Sequence, residues 1–224
     1  MKHILVRRVF GALSVALAIG ASAQNLQVAP GTDADVGRGW SAYAAGDFPR
    51  ALNAYRQAAE RGDALGQFNL AVMLIGGEGT PADPKQGIDW LRRAAERGLA
   101  RAQYFLALFH ERGQMVPRSQ PEATAWYRKA AEQGWRDAQV ALATQYFLGR
   151  GAPRDYAEAA RWYERAAEQG DAGAAYIIAS MYEKGDGVAV DLERAVFWYS
   201  QAAARGEPGA DIKAREAMQR LRAS

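Results

Sequence analysis

One phrase returns through this chain at a fixed interval. Ala58-Ala59-Glu60-Arg61-Gly62 reappears 36 residues on as Ala94-Ala95-Glu96-Arg97-Gly98. It returns again as Ala130-Ala131-Glu132-Gln133-Gly134, then as Ala166-Ala167-Glu168-Gln169-Gly170, with a weaker fifth copy at Ala202-Ala203-Ala204-Arg205-Gly206. A period of about 20–50 residues marks a stacked array, because one short supersecondary unit cannot bury its own apolar face. Stacking identical units buries a continuous core.

Each unit reads as two helices. The second opens on a side-chain cap at Asp47, Asp83, Ser119, Asp155 or Asp191. Such residues accept hydrogen bonds from the free N–H groups of a first helical turn. Glu122 and Glu158, three residues after their caps, complete the capping-box pattern, and Pro84 falls where a missing N–H costs nothing. The helix stops at Gly62, Gly98, Gly134, Gly170 or Gly206. The first helix of a unit runs to Gly77, Gly113, Gly149 or Gly185, with small residues recurring at Gly66, Ala102, Ala138 and Ala174. Those places let neighbouring helices approach closely, while Trp90, Trp126, Trp162 and Trp198 fill space as packed rings. The fold class is therefore all-α, an α-solenoid of antiparallel helix pairs.

The spacing divides the chain into an opening hairpin (34–61), four 36-residue units (63–206) and a capping segment (207–224). Within the last, a helix opened by Pro208 is expected to cover the final unit with Ile212, Ala214, Met218 and Leu221. Residues 1–23 read as a cleaved export signal. Lys2, Arg7 and Arg8 are followed by an apolar stretch from Val9 to Gly20 and by the small-residue site Ala21-Ser22-Ala23. Residues 24–33 carry no pattern and read as a flexible tether. The expected location is the periplasm, with release from the cell as the alternative, and no stable membrane insertion once the signal is removed.

Composition narrows the chemistry. The chain has 28 basic and 25 acidic residues, and three of the basic ones lie in the signal, so the remainder balances at 25 against 25. No net field remains to gather nucleic acid or an anionic membrane. There are no cysteines, and His110 is the one histidine beyond the signal. Metal binding and nucleophilic catalysis have little to work with, so the reading is no enzyme, no metal site and no cofactor. His110 stands where other units have Leu74, Tyr146 and Tyr182, as a polar ring in a tyrosine's place. The loops Gly77-Glu78-Gly79, Gly149-Arg150-Gly151 and Gly185-Asp186-Gly187 follow no strand, so they are turns and not phosphate cradles.

On these residues the chain resembles the Sel1-like repeat family over about residues 37–206. Leu142-Ala143, Gly149-Arg150-Gly151, Asp155, Trp162-Tyr163 and Ala166-Ala167-Glu168-Gln169-Gly170 carry the likeness most fully. The opening hairpin is similar to a tetratricopeptide unit. The resemblance implies a right-handed superhelix whose first helices build a concave, protein-binding face. It implies an adaptor or regulator that binds a protein or peptide. Met115 replaces a loop glycine and Ser119 a cap aspartate, so that loop is expected to differ in shape from its siblings.

Placing the first helices on the tetratricopeptide pattern nominates the groove. Its residues would be Leu65, Phe68, Val72 and Ile75, then Arg101, Tyr104, Leu108 and Glu111. In the later units they would be Val140, Thr144 and Phe147, then Tyr176, Ser180 and Glu183. These positions vary between units while their neighbours stay constant, as a binding face should. Phe68 and Tyr104 read equally well as rings packed between helices. Trp135 breaks the repeat just after Gly134, where an apolar contact completes a helix end. Trp135 and Met115 are secondary candidates for a partner contact. The function expected is a non-enzymatic envelope scaffold. A secreted effector acting on host proteins is the alternative, and an envelope hydrolase a distant third.

Overall fold

A computed structural model describes residues 34–223; the expected signal and tether fall outside the described residues. Among the described residues all regular structure is helical. The helices are α1 (Ala34–Ala44), α2 (Phe48–Glu60), α3 (Ala64–Gly76), α4 (Pro84–Glu96), α5 (Ala100–Arg112), α6 (Gln120–Glu132), α7 (Arg136–Leu148), α8 (Tyr156–Glu168), α9 (Ala172–Lys184), α10 (Leu192–Ala204) and α11 (Ala210–Ala223). None is long and apolar enough to cross a membrane.

The caps form as the sequence demands. Asp47, Asp83, Asp155 and Asp191 accept from the backbone N–H three residues on, at 2.9–3.1 Å. Ser119 does the same for Glu122 at 3.3 Å. The Glu158 carboxylate does not close its capping box. It turns forward to Arg161 at 2.5 Å and to the Trp162 indole N–H at 3.1 Å, where a charged partner outbids a backbone amide. At the end of α6 the Gly134 N–H bonds Ala131 O at 2.9 Å and the Trp135 N–H bonds Ala130 O at 3.0 Å. That pair of bonds, around a left-handed Gly134, is a Schellman closure.

The chain divides into two compact units, with the boundary between Arg118 and Ser119. In the first, consecutive helices from α1 to α5 pack against one another. Its core gathers Val36, Leu52, Tyr55, Leu70, Met73 and Leu74 around the alanines Ala51, Ala58 and Ala59. Asp35, buried at the start of α1, is held by Arg38 and Arg61. In the second unit α6 to α11 stack in the same order. Tyr127, Leu142, Ile178, Met181 and Tyr199 are its largest fully buried side chains.

The last helix corrects one expectation. It begins at Ala210, past a Pro208-Gly209 turn in which Gly209 has φ +74°. Its inward face is Ala210 and Ala217, both fully buried, with Ala214, Met218 and Leu221 partly so. Ile212 is 52% exposed. It sits about 200° round the helix from Ala210, so it cannot cover the final unit.

The loop at Met115 corrects another. Met115 has φ +60°, in line with Gly79 at +75°, Gly151 at +70° and Gly187 at +74°. At this residue the loop keeps its siblings' left-handed backbone and pays in side-chain strain for lacking glycine.

Candidate interaction face

The second unit presents the nominated positions on one side of α7 and α9. Val140, Thr144 and Phe147 on α7 are partly exposed, as are Tyr176, Ser180 and Glu183 on α9. The phenols of the following helices, α8 and α10, join them. Tyr163 and Tyr199 have buried rings, 3% and 1% exposed, yet their hydroxyls reach this face. The Tyr163 hydroxyl pairs with Thr144 Oγ1 at 2.9 Å, and Thr144 also donates to Val140 O at 2.8 Å. The Tyr199 hydroxyl donates to Glu183 Oε2 at 2.9 Å, and its ring meets Tyr176 edge-on at 5.2 Å. Arg220 of α11 takes the other Glu183 oxygen at 2.6 Å. Burial raises the Tyr199 phenol well above the usual range, and the Glu183 carboxylate raises it further. Burial also raises Tyr163, while the Thr144 hydroxyl works against the shift. Phe147 packs edge-on against Tyr156 at 5.2 Å.

Sequence reasoning treated the Trp-Tyr pairs as interior and so missed these two hydroxyls. It also missed that Ile212, 36 residues after Tyr176, extends the same positions onto α11.

The first unit treats its nominated residues differently. Phe68, Val72 and Ile75 are 0%, 7% and 6% exposed, so they belong to the interior and not to an open groove. Leu65 packs onto the core cluster. Phe68 is covered by Phe105, 6.0 Å between ring centroids, and by the Arg101 guanidinium 5.7 Å above its ring. Desolvation lowers the Arg101 pKa. Tyr104 packs edge-on to Phe105 at 5.4 Å; Arg101, Tyr104, Leu108 and Glu111 remain partly exposed. Trp135, Met115 and His110 are half-buried. Among the described residues no cluster of three acidic or histidine side chains has the geometry of a metal site.

A third set of repeated residues was overlooked. Gln67, Gln103 and Gln139 lie in the first helices, each at most 4% exposed. Each amide donates to the carbonyl of the second alanine in the preceding Ala-Ala pair: Ala59 at 3.2 Å, Ala95 at 3.0 Å and Ala131 at 3.3 Å. Their 36-residue spacing was the signal that could have revealed them.

The family model described as "Sel1 repeat" matches residues 64–99, 100–135, 136–171 and 172–207. The chain belongs to the Sel1 repeat family. A Sel1 repeat protein from Oxalobacter formigenes is similar, with 34% identity and a TM-score of 0.68 over 81% of this chain and 74% of that one. So is c5321, a protective antigen of uropathogenic Escherichia coli with the same repeat fold, at 30% identity and a TM-score of 0.74. That alignment covers 90% of this chain and 43% of the antigen, so the chain spans less than half the length of that relative. No curated protein matches. Sel1 repeat proteins are generally non-catalytic scaffolds for protein interaction. In this Sel1 array the constant positions build the core and the caps, and the variable ones stand at the surface of α7 and α9.

Proposed function

We propose that this chain is a non-enzymatic scaffold of the bacterial envelope, binding a protein or peptide partner on the face formed by α7 and α9. One observation carries the reading: Val140, Thr144, Phe147, Tyr176, Ser180 and Glu183 all remain partly exposed, while Leu142, Ala143, Ile178 and Ala179 on the same helices are buried. The face offers apolar contact, hydroxyls and one carboxylate already held by Tyr199 and Arg220. That mixture suits a peptide segment, which brings both side chains and backbone amides. In the first unit Arg101, Tyr104, Leu108 and Glu111 are also partly exposed and make a more charged set.

Export is part of the proposal and rests on residues 1–23. The test uses residues 24–224 as bait in periplasmic extract, beside a Val140→Ala/Tyr176→Ala variant of equal helical circular dichroism. A protein held by the wild type and lost by the variant supports the reading. Equal retention by both sends the site elsewhere. The antigenic character of the Escherichia coli relative favours an extracellular location as the second reading. Recovery of the processed chain only from culture medium would decide for it.

A further inference from the structure

A second candidate site lies within the first unit. A cleft between α2 and α4 has Gln67 in its lining, with Gly62, Trp90, Arg93 and Arg97 around it. Gln67 is 3% exposed, and the bond from its Nε2 to Ala59 O fixes which way the amide points. Its Oε1 is then buried with no hydrogen-bond donor among the described residues. An acceptor left in that state costs about 1–3 kcal/mol, so its persistence calls for a reason.

The second unit closes the equivalent amide at both ends. There Gln139 makes the same bond to Ala131 O, and Gln169 closes the other end by donating to Gln139 Oε1 at 2.7 Å. The residue that stands to Gln67 as Gln169 stands to Gln139 is Arg97. Its guanidinium does not turn inward. It lies across Gly62, where a Cβ would come within 2.8 Å of Nη2. Beside it, Arg93 stacks 4.5 Å over the Trp90 ring. Neither arginine has a carboxylate partner among the described residues. Glu60 and Glu96 share the cleft but are solvent-exposed and bond to neither.

We propose that this cleft binds a carboxylate-bearing peptide segment. Arg93 and Arg97 take the carboxylate through charge-assisted hydrogen bonds, and a backbone N–H of the segment donates to Gln67 Oε1. A peptide meets both needs. A DNA sugar-phosphate backbone supplies the anion but no donor for the buried oxygen.

The test is a titration of ¹⁵N-labelled residues 24–224 with acetyl-Glu-Glu-Glu-Glu-amide and with its all-glutamine counterpart, following the Trp90 indole and Gln67 amide resonances. The glutamate peptide is expected to shift both, and the glutamine peptide to bind about tenfold more weakly or worse. Arg97→Gln recreates the Gln169–Gln139 arrangement. It is expected to lose at least about tenfold in peptide affinity with a Tm equal to or above that of the wild type. Arg93→Gln leaves the Gln67 amide untouched and should lose affinity similarly, so the proposal is tested even if Arg97→Gln alters the fold. Three results would overturn it: no shift at Trp90 or Gln67 at millimolar peptide, equal binding of the glutamine peptide, or tighter binding of an oligothymidylate at the same resonances.

Discussion

Arg220 on the last helix and Glu183 on α9 meet at 2.6 Å across 37 residues of sequence. The arginine side chain is 56% exposed and the glutamate 12%. The pair therefore joins a solvated cation to a nearly enclosed anion, which Tyr199 also holds.

Removing the cation leaves the anion with one donor fewer. Exposed ion pairs contribute about 0–1 kcal/mol because water screens them. Arg220→Ala is thus expected to cost up to about 1 kcal/mol in urea unfolding. Arg220→Ala combined with Glu183→Gln should cost less than the two singly, since they share one interaction. Strict additivity would show that the contact contributes nothing.

Met115 should be improved by its own family's residue. A non-glycine side chain in the left-handed region costs about 1–2 kcal/mol, and Met115 sits there at φ +60°. Met115→Gly is expected to raise stability by roughly 1 kcal/mol, seen as a higher Tm. If partner binding falls at the same time, the side chain contributes to a contact surface.

Two glycines with similar backbone angles should respond unequally to alanine. A Cβ on Gly151 would lie 2.2 Å from the Gln120 carbonyl oxygen and 2.4 Å from Thr124 Oγ1, whereas one on Gly98 meets nothing within 4 Å. Gly98→Ala should therefore cost about 1–2 kcal/mol, for conformation alone. Gly151→Ala carries that cost and adds an overlap with backbone, for a total above about 3 kcal/mol. Equal unfolding free energies for the two variants would contradict the close seating of this loop.

Alkaline pH should loosen the opening hairpin. Burial, and then the Glu78 carboxylate, push the Tyr43 phenol up to about 12. Its contribution is fully present below pH 10, the unfolded phenol's range. It is lost as pH rises from there towards 12, because the unfolded chain ionises first. Tyr43→Phe should flatten the fall in stability across that window, measured by urea unfolding at stepped pH. Tyr55, Tyr163, Tyr182 and Tyr199 are shifted in the same direction, so the slope should shrink and not vanish.

The repeat made the helix pairs, their caps and their glycine ends legible, because each follows from which residue type recurs at which place. Depth was harder to read. Phe68 and Tyr104 share a position in the repeat, yet Phe68 is sealed by Arg101 and Phe105 from the next first helix. At that neighbouring place the other units have Asn69, Ala141 and Ile177 instead of Phe105. Exposure at a variable position thus depends on a second variable position. The direction of a polar side chain was also hidden: a capping box placed Glu158 behind its helix start, and Arg161 drew it forward. Gln67 and its copies lay in plain register, but the sequence does not show the burial and the bond that give the register its meaning.

The loop glycines have a mechanical consequence. In the second unit Gly151 rests on Gln120 and Gly187 on Tyr156, the opening residues of α6 and α8. Cohesion of this kind is between nearest neighbours. Pulled from its C-terminus by an optical trap, the segment after Ser119 should yield as a ratchet, one tooth at a time. Each step would release a length of chain set by the 36-residue period.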